Sequence, residues 1–275
     1  MSLMSKLWTT AIVSTLIAGA AEFNLESFVK HTLIKNPRIK VEKVKMIGEK
    51  ALPGRPDWKA YMFTMDLSFR GRKQSIPDTV FVNEKEQLAT MSLIDMRTGR
   101  DLREAVKPTM PVSYYDKKHL IAGNPNAPHK VVVFSDPQCP FCIGFVPGLI
   151  KDVKAHPDKL ALYYYHMPLL RLHPVSETLT RVMEHLQSQG KTDEALKIYK
   201  LKIDPRTHDE KKILAALKKQ LGIDLKPSDI DKPEYREAVR ADMKKAGEMM
   251  VRGTPTVYYD GKYDAGRSAY KQALK

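Results

Sequence analysis

The stretch Lys130-Val-Val-Val-Phe-Ser135-Asp-Pro-Gln-Cys139-Pro-Phe-Cys142 decides the fold. Its first half is a continuous apolar, β-branched run, the pattern of a central strand buried on both faces. Asp136-Pro137 ends that strand, and from Cys142 onward Phe145, Val146, Leu149, Ile150 and Val153 fall on one helical face. Pro147-Gly148 is expected to kink that helix. Cys139 therefore stands where strand gives way to helix, among N–H groups without helical partners and at the positive end of the dipole. Both favour thiolate over thiol. Cys142 lies one turn later on the inward face, placed to attack a mixed disulfide formed at Cys139. Pro140 suits the first helical turn, where no N–H is required. The pair reads as an exchanger of disulfides. Three other readings stay open: a structural disulfide, although so small a ring constrains little of the unfolded chain; half of a zinc site with His166 and His173; and a copper site made of both thiolates.

Downstream, Leu160 to His166 reads as a tyrosine-rich strand, its Tyr163, Tyr164 and Tyr165 as core and sheet-face residues. Ser176–Gln189, Asp193–Leu201, Asp209–Leu221 and Pro233–Met250 read as helices. Thr256 to Tyr259 returns to strand, Asp260-Gly261 is a hairpin turn, and Ser268 to Leu274 is a last helix. Strand, helix, strand, helices, strand and helix in that order imply an α/β sheet with helices on its faces, over 129–275.

Upstream the pattern changes. Leu25, Phe28, Val29 and Leu33 recur at helical spacing behind Asn24, a candidate N-cap. Tyr61, Phe63, Met65, Leu67 and Phe69 then alternate with polar residues, as in a half-buried antiparallel strand. Val80 and Val82 mark a second strand, and Ala89, Met91 and Leu93 a third, ending before Thr98-Gly99. Ile39 and Val41 start an earlier one whose alternation breaks at Glu42-Lys43. Residues 21–100 thus form a small α+β unit with few catalytic groups, and its expected role is structural or dimerising. Residues 101–128, with Pro108, Pro111, Pro125 and Pro128 and no sustained period, read as a linker carrying a short helix near Leu102 to Val106.

The 275 residues suffice for two domains, and with 43% hydrophobic and 28% charged residues the chain can bury real cores. No apolar run reaches the ~18 residues of a membrane span, and two cysteines make no disulfide scaffold. The 46 basic against 32 acidic side chains leave a net charge of +14. That charge is spread without long runs, so no nucleic acid is expected as a partner. Lys6, the apolar stretch Leu7 to Ile17 and Ala18-Gly19-Ala20 have the layout of a signal peptide, residues 1–20. Export would put the two cysteines where disulfides are made.

Phe134 to Cys142, taken with Gly253-Thr254-Pro255-Thr256 ahead of Asp260-Gly261, resembles the exported Dsb-type thiol–disulfide oxidoreductases. The resemblance covers the second domain. It implies a thioredoxin-like fold with a helical insertion, Cys139 as nucleophile and Cys142 as resolving thiol. It also implies a cis Pro255 facing the pair, with Pro140, Phe141, Thr254 and Pro255 beside the substrate. A small domain ahead of a linker, Cys-Pro-aromatic-Cys and threonine before the proline are similar to the dimeric DsbC and DsbG proteins. That likeness implies a cystatin-like dimerisation domain and a homodimer. Phe141 cannot hydrogen-bond the Cys139 thiolate as a histidine could, which points to a less oxidising pair. The expected function is a periplasmic disulfide isomerase or reductase for unfolded or wrongly disulfide-bonded exported proteins. A membrane redox partner would reset the pair, with no cofactor and no metal. The alternatives are a dithiol oxidase and, in another class, a holdase chaperone or copper-binding protein.

Overall fold

The computed structural model describes residues 23–275; the signal-peptide reading falls on residues outside them. Asn24 accepts a hydrogen bond from the Ser27 N–H at 2.8 Å and caps α1 (Leu25–Phe28), which runs on as a π-turn over Val29–Leu33. Four antiparallel strands follow in spatial order: β1 (Lys40–Leu52), β2 (Arg55–Phe69), β3 (Arg72–Asn83) and β4 (Leu88–Thr90). The broken alternation at Glu42 is a β-bulge: the register with β2 skips between Val41 and Lys43, which returns Val41 and Val44 to one apolar cluster. Tyr61, Phe63, Met65 and Leu67 pack in that cluster against Leu25 and Val29. The strand expected to run through Met91 and Leu93 stops at Thr90. A separate small hairpin, β5 (Ile94–Asp95) and β6 (Arg100–Asp101), takes up the rest, and α2 (Leu102–Ala105) follows.

The segment read as linker is more structured than its prolines suggested. It contains β7 (Leu120–Gly123), which joins the second sheet by pairing with β9 (Leu160–His166). With β8 (His129–Ser135), β10 (Thr256–Tyr259) and β11 (Lys262–Tyr263), the spatial order is β11-β10-β8-β9-β7. Only β8 and β9 are parallel neighbours; β10 runs against β8. Both faces are covered, as the apolar run predicted. Val131, Val133, Leu160, Leu162 and Tyr164 pack in one cluster, and Val132, Phe134, Ala161, Tyr163 and Tyr165 in another.

The helices are α3 (Pro140–Ala155), α4 (Val175–Ser188), α5 (Thr192–Leu196), α6 (Glu210–Leu221), α7 (Pro227–Ile230) and α8 (Pro233–Glu248). Helix α3 continues as one element through Pro147. The last segment, Ala269–Leu274, is a 3₁₀ helix. Asp260 and Gly261 both have positive φ, as a tight hairpin turn requires.

The two sheets meet at Met250. It is buried with Leu52, Ala60, Met62, Phe81 and Val106, on the face of β2 opposite α1. Lys107 donates to its carbonyl at 2.6 Å, Thr79 Oγ1 lies 3.8 Å from its sulfur, and Arg252 pairs with Asp78 at 3.5 Å.

Candidate active site

The C-terminal ends of β8 and β9 lie side by side, with Ser135 paired to His166. Because β10 runs the opposite way, its N-terminal end arrives at the same edge, with Thr256 opposite Phe134. The turn to Cys139, the loop after His166 and the segment Gly253 to Pro255 therefore converge on one end of the sheet. Such carboxyl ends are where α/β folds place their ligands.

Cys139 is the N-cap of α3: its own N–H donates to Asp136 O at 3.2 Å, and its carbonyl accepts the helix's first bond, from Ile143 N at 2.9 Å. Pro140 occupies the first turn. The Thr254–Pro255 bond is cis, and the Thr254 carbonyl oxygen lies 3.4 Å from Cys139 Sγ. Both cysteines are free thiols; Cys139 is 4% exposed and Cys142 fully buried. Burial pushes the Cys142 thiol up to about 12, although the Ser135 hydroxyl, the Asp136 backbone and the Thr254 hydroxyl oppose it. Cys142 thus stays protonated at neutral pH.

Sequence reasoning gave Asp136 a turn-forming role, and the structure adds a second. Its fully buried carboxylate accepts from Gln138 N (2.8 Å) and Ser176 Oγ (2.6 Å) on one oxygen. The other oxygen accepts from Leu169 N (2.8 Å) and His173 Nδ1 (2.9 Å). One side chain thus ties the turn before Cys139 to the start of α4 and to the loop after β9. His173, weighed above as a cysteine partner for zinc, is held by this carboxylate.

Behind Cys142 lies a buried row of hydroxyls that sequence reasoning missed. Ser135 Oγ is 2.6 Å from the Tyr199 hydroxyl, which is 2.9 Å from that of Tyr164. Burial drives both phenols well above their ordinary range, so they remain neutral partners. Large apolar side chains are exposed close by in the chain. Phe141 is 71% exposed, and Ile143, Leu170 and Leu172 are exposed beside it in sequence or in the loop that Asp136 pins. A cleft of about 750 Å³ between β1, β2 and α8 has none of these residues in its lining.

The thioredoxin family model described as "Thioredoxin" matches residues 116–275. Among curated proteins, the Na(+)/H(+) antiporter NhaA 1 of Mycobacterium sp. (strain KMS) is 32% identical over 167 residues, 58% of this chain and 26% of the antiporter. That of Mycolicibacterium gilvum is 30% identical over 152 residues, 53% and 24% of the two chains. The chain spans about a quarter of the length of these relatives, and among the described residues no helix is long and apolar enough to cross a membrane. Among solved structures, a thioredoxin-like oxidoreductase from Silicibacter pomeroyi DSS-3 is 23% identical with a TM-score of 0.49, covering 59% of this chain and 94% of that one. BdbD from Bacillus subtilis is 20% identical with a TM-score of 0.47, covering 62% and 94%. The match from Asp116 to the last residue takes in β7 to β11, both cysteines and the Thr254–Pro255 bond, more than half of the chain. The chain belongs to the thioredoxin family.

Proposed function

We propose that this protein is an exported thiol–disulfide oxidoreductase that acts on folding or misfolded proteins as an isomerase or reductase. The observation that carries this reading is the sulfur of Cys139 at the N-terminus of α3, 3.4 Å from the Thr254 carbonyl. Burial keeps Cys142 a thiol until it is needed. The Cys139 thiolate attacks one sulfur of a client disulfide; that S–S bond breaks and the second client sulfur leaves, to be protonated by water. In isomerisation a free client thiolate then displaces Cys139. In reduction Cys142 gives up its proton and attacks Cys139 Sγ, leaving a Cys139–Cys142 disulfide and a client dithiol. A separate redox partner must then restore the pair. Phe141, Ile143, Leu170 and Leu172 offer apolar contact to an unfolded segment of client.

The test is refolding of a multi-disulfide protein from scrambled and from fully reduced material with catalytic amounts of enzyme. Rescue of the scrambled form in a reducing glutathione buffer is expected. Acceleration of the reduced form alone, and only by pre-oxidised protein, would make it an oxidase. Cys142→Ser should accumulate mixed disulfides with clients that Cys139→Ser cannot form. If the Cys139→Ser protein retains turnover, the exchange reading fails. On the same proposal the protein works in the periplasm, and residues 21–100 join two copies. Light scattering reads the assembly, and a monomer at working concentration would remove that part.

A further inference from the structure

One strand away from Asp136, the edge of the sheet holds a second buried polar cluster, and it is built differently. His166 ends β9 and is 1% exposed, yet neither of its ring nitrogens has a hydrogen-bond partner. Facing it are Glu184 of α4 and Asp242 of α8, also buried; a ligand atom from each of the three lies within 4.8 Å of the others. His166 Nε2 is 3.5 Å from Glu184 Oε1, too far for a good hydrogen bond. A buried ring with two unsatisfied nitrogens is costly, and in folded proteins such a group commonly marks a water or an ion.

We propose that His166, Glu184 and Asp242 hold a divalent first-row transition cation. The donor set suits it. One imidazole with two carboxylates is nitrogen and oxygen ligation of the kind taken by zinc or manganese, and two carboxylate charges balance the ion. The supports of a metal site are also present. Asp242 Oδ2 accepts from the His166 backbone N–H at 2.9 Å, which fixes that carboxylate against the strand. His119 points Nε2 at Asp242 Oδ1 across 2.8 Å and is oriented through Nδ1 by Asp116 at 2.6 Å. This histidine–carboxylate contact orients Asp242 from behind, as hydrogen-bond partners of metal ligands do. Two cations lie nearby: Lys118, which reaches Glu184 Oε2 at 3.5 Å with a largely exposed side chain, and Lys245, which pairs with Asp116 at 3.3 Å. The site is independent of the two cysteines.

The test uses the whole chain with Cys139→Ser and Cys142→Ser, so that thiolates take no metal. The protein is equilibrated separately with manganese, zinc or calcium, desalted and analysed for bound metal. About one manganese or zinc per chain is expected, with a raised Tm, and pulsed EPR of the manganese form should show imidazole nitrogen coupling. Glu184→Gln, which keeps the shape of the side chain, should reduce retention to background. Retention of neither transition ion, retention unchanged in Glu184→Gln, or a manganese signal without nitrogen coupling would overturn the site. Retention of calcium in place of both transition ions would do the same. Should Glu184→Gln fail to fold, the nitrogen coupling of the unaltered cluster decides.

Discussion

Asp136 and His166 sit at the ends of neighbouring parallel strands, and both are almost wholly removed from solvent. The first has both oxygens engaged, with donors from two residues on and from 33 to 40 residues away. The second has a ring with no hydrogen bond at all. A buried polar group that is fully bonded acts as a rivet, because removing it strands each of its partners. One that is unbonded contributes nothing to the fold by itself, and the reason for it must be sought in something it binds. Burial alone does not separate the two cases; the census of partners does.

Asp136→Ala is the harshest way to sharpen this contrast. It leaves four donors without an acceptor, two of them fully buried, and should cost about 3–5 kcal/mol, a fall in Tm on the order of 10 °C by calorimetry. A fall of a degree or two would mean that water replaces the carboxylate and that the rivet is no rivet. Tyr199→Phe comes next. It removes the middle of the hydroxyl row and leaves Ser135 Oγ and the Tyr164 hydroxyl without that partner, costing about 1–3 kcal/mol in urea unfolding. It should also slow release of mixed disulfides, since the Ser135 hydroxyl faces Cys142.

Lys107 is an intermediate case, a 5% exposed cation with one hydrogen bond, to Met250 O. Burial pulls its ammonium down to about 8 from an ordinary 10.5. Between those values the unfolded chain binds the proton and the folded one does not, so this group makes stability rise with pH. From pH 8 to 9.5 the gain should be about 1–2 kcal/mol, absent in Lys107→Met. Nearer pH 10 the slope reverses. The buried tyrosines, Tyr114, Tyr164, Tyr165, Tyr199, Tyr258 and Tyr270, hold their protons in the folded state while the unfolded chain releases them. Stability measured by urea across that range should therefore pass through a maximum; a profile identical in Lys107→Met would show that the ammonium is solvated. The smallest effect is expected for His166→Phe in the presence of a chelator. With no hydrogen bond to lose, the metal-free protein should change by less than about 1 kcal/mol. A loss as large as that of Asp136→Ala would erase the difference between the two clusters.

The strand–turn–helix around the cysteines was legible because its signals are local. An apolar run, Asp136-Pro137 and a helical face follow one another within a few residues, and β8 and α3 form where they should. The exposed Phe141 belongs to the same stretch. Strand β7 was not legible: Leu120 to Gly123 is too short to show a period and lies among prolines. Gly123 marks it physically, since at φ 81° a Cβ there would come within 2.0 Å of the Leu160 carbonyl oxygen, but that demand is visible only once β9 is in place. Asp136 could be read as a turn residue, whereas its partners Leu169, His173 and Ser176 obey no spacing rule. The same holds for Tyr199 behind Cys142 and for Glu184 and Asp242 around His166. These constellations are made where α4, α8, the turn at Tyr199 and the loop after β9 pack on the sheet, and the sequence records only their separate members.

Met250 precedes Thr254 by four residues. One end of that short span is gripped by the first sheet, through Thr79 and the Asp78–Arg252 pair, and by Lys107 just after α2; the other end is the carbonyl that faces Cys139. The first sheet is therefore a handle on the chain just ahead of the carbonyl that faces Cys139. The strand that follows Thr254, β10, pairs with β8 on the way to Cys139, so the second sheet sets the gap between carbonyl and sulfur while the first sheet holds the chain just ahead of it. A fragment cut at the family boundary would keep both cysteines and the Thr254 carbonyl and lose the contacts that hold Met250 and Arg252.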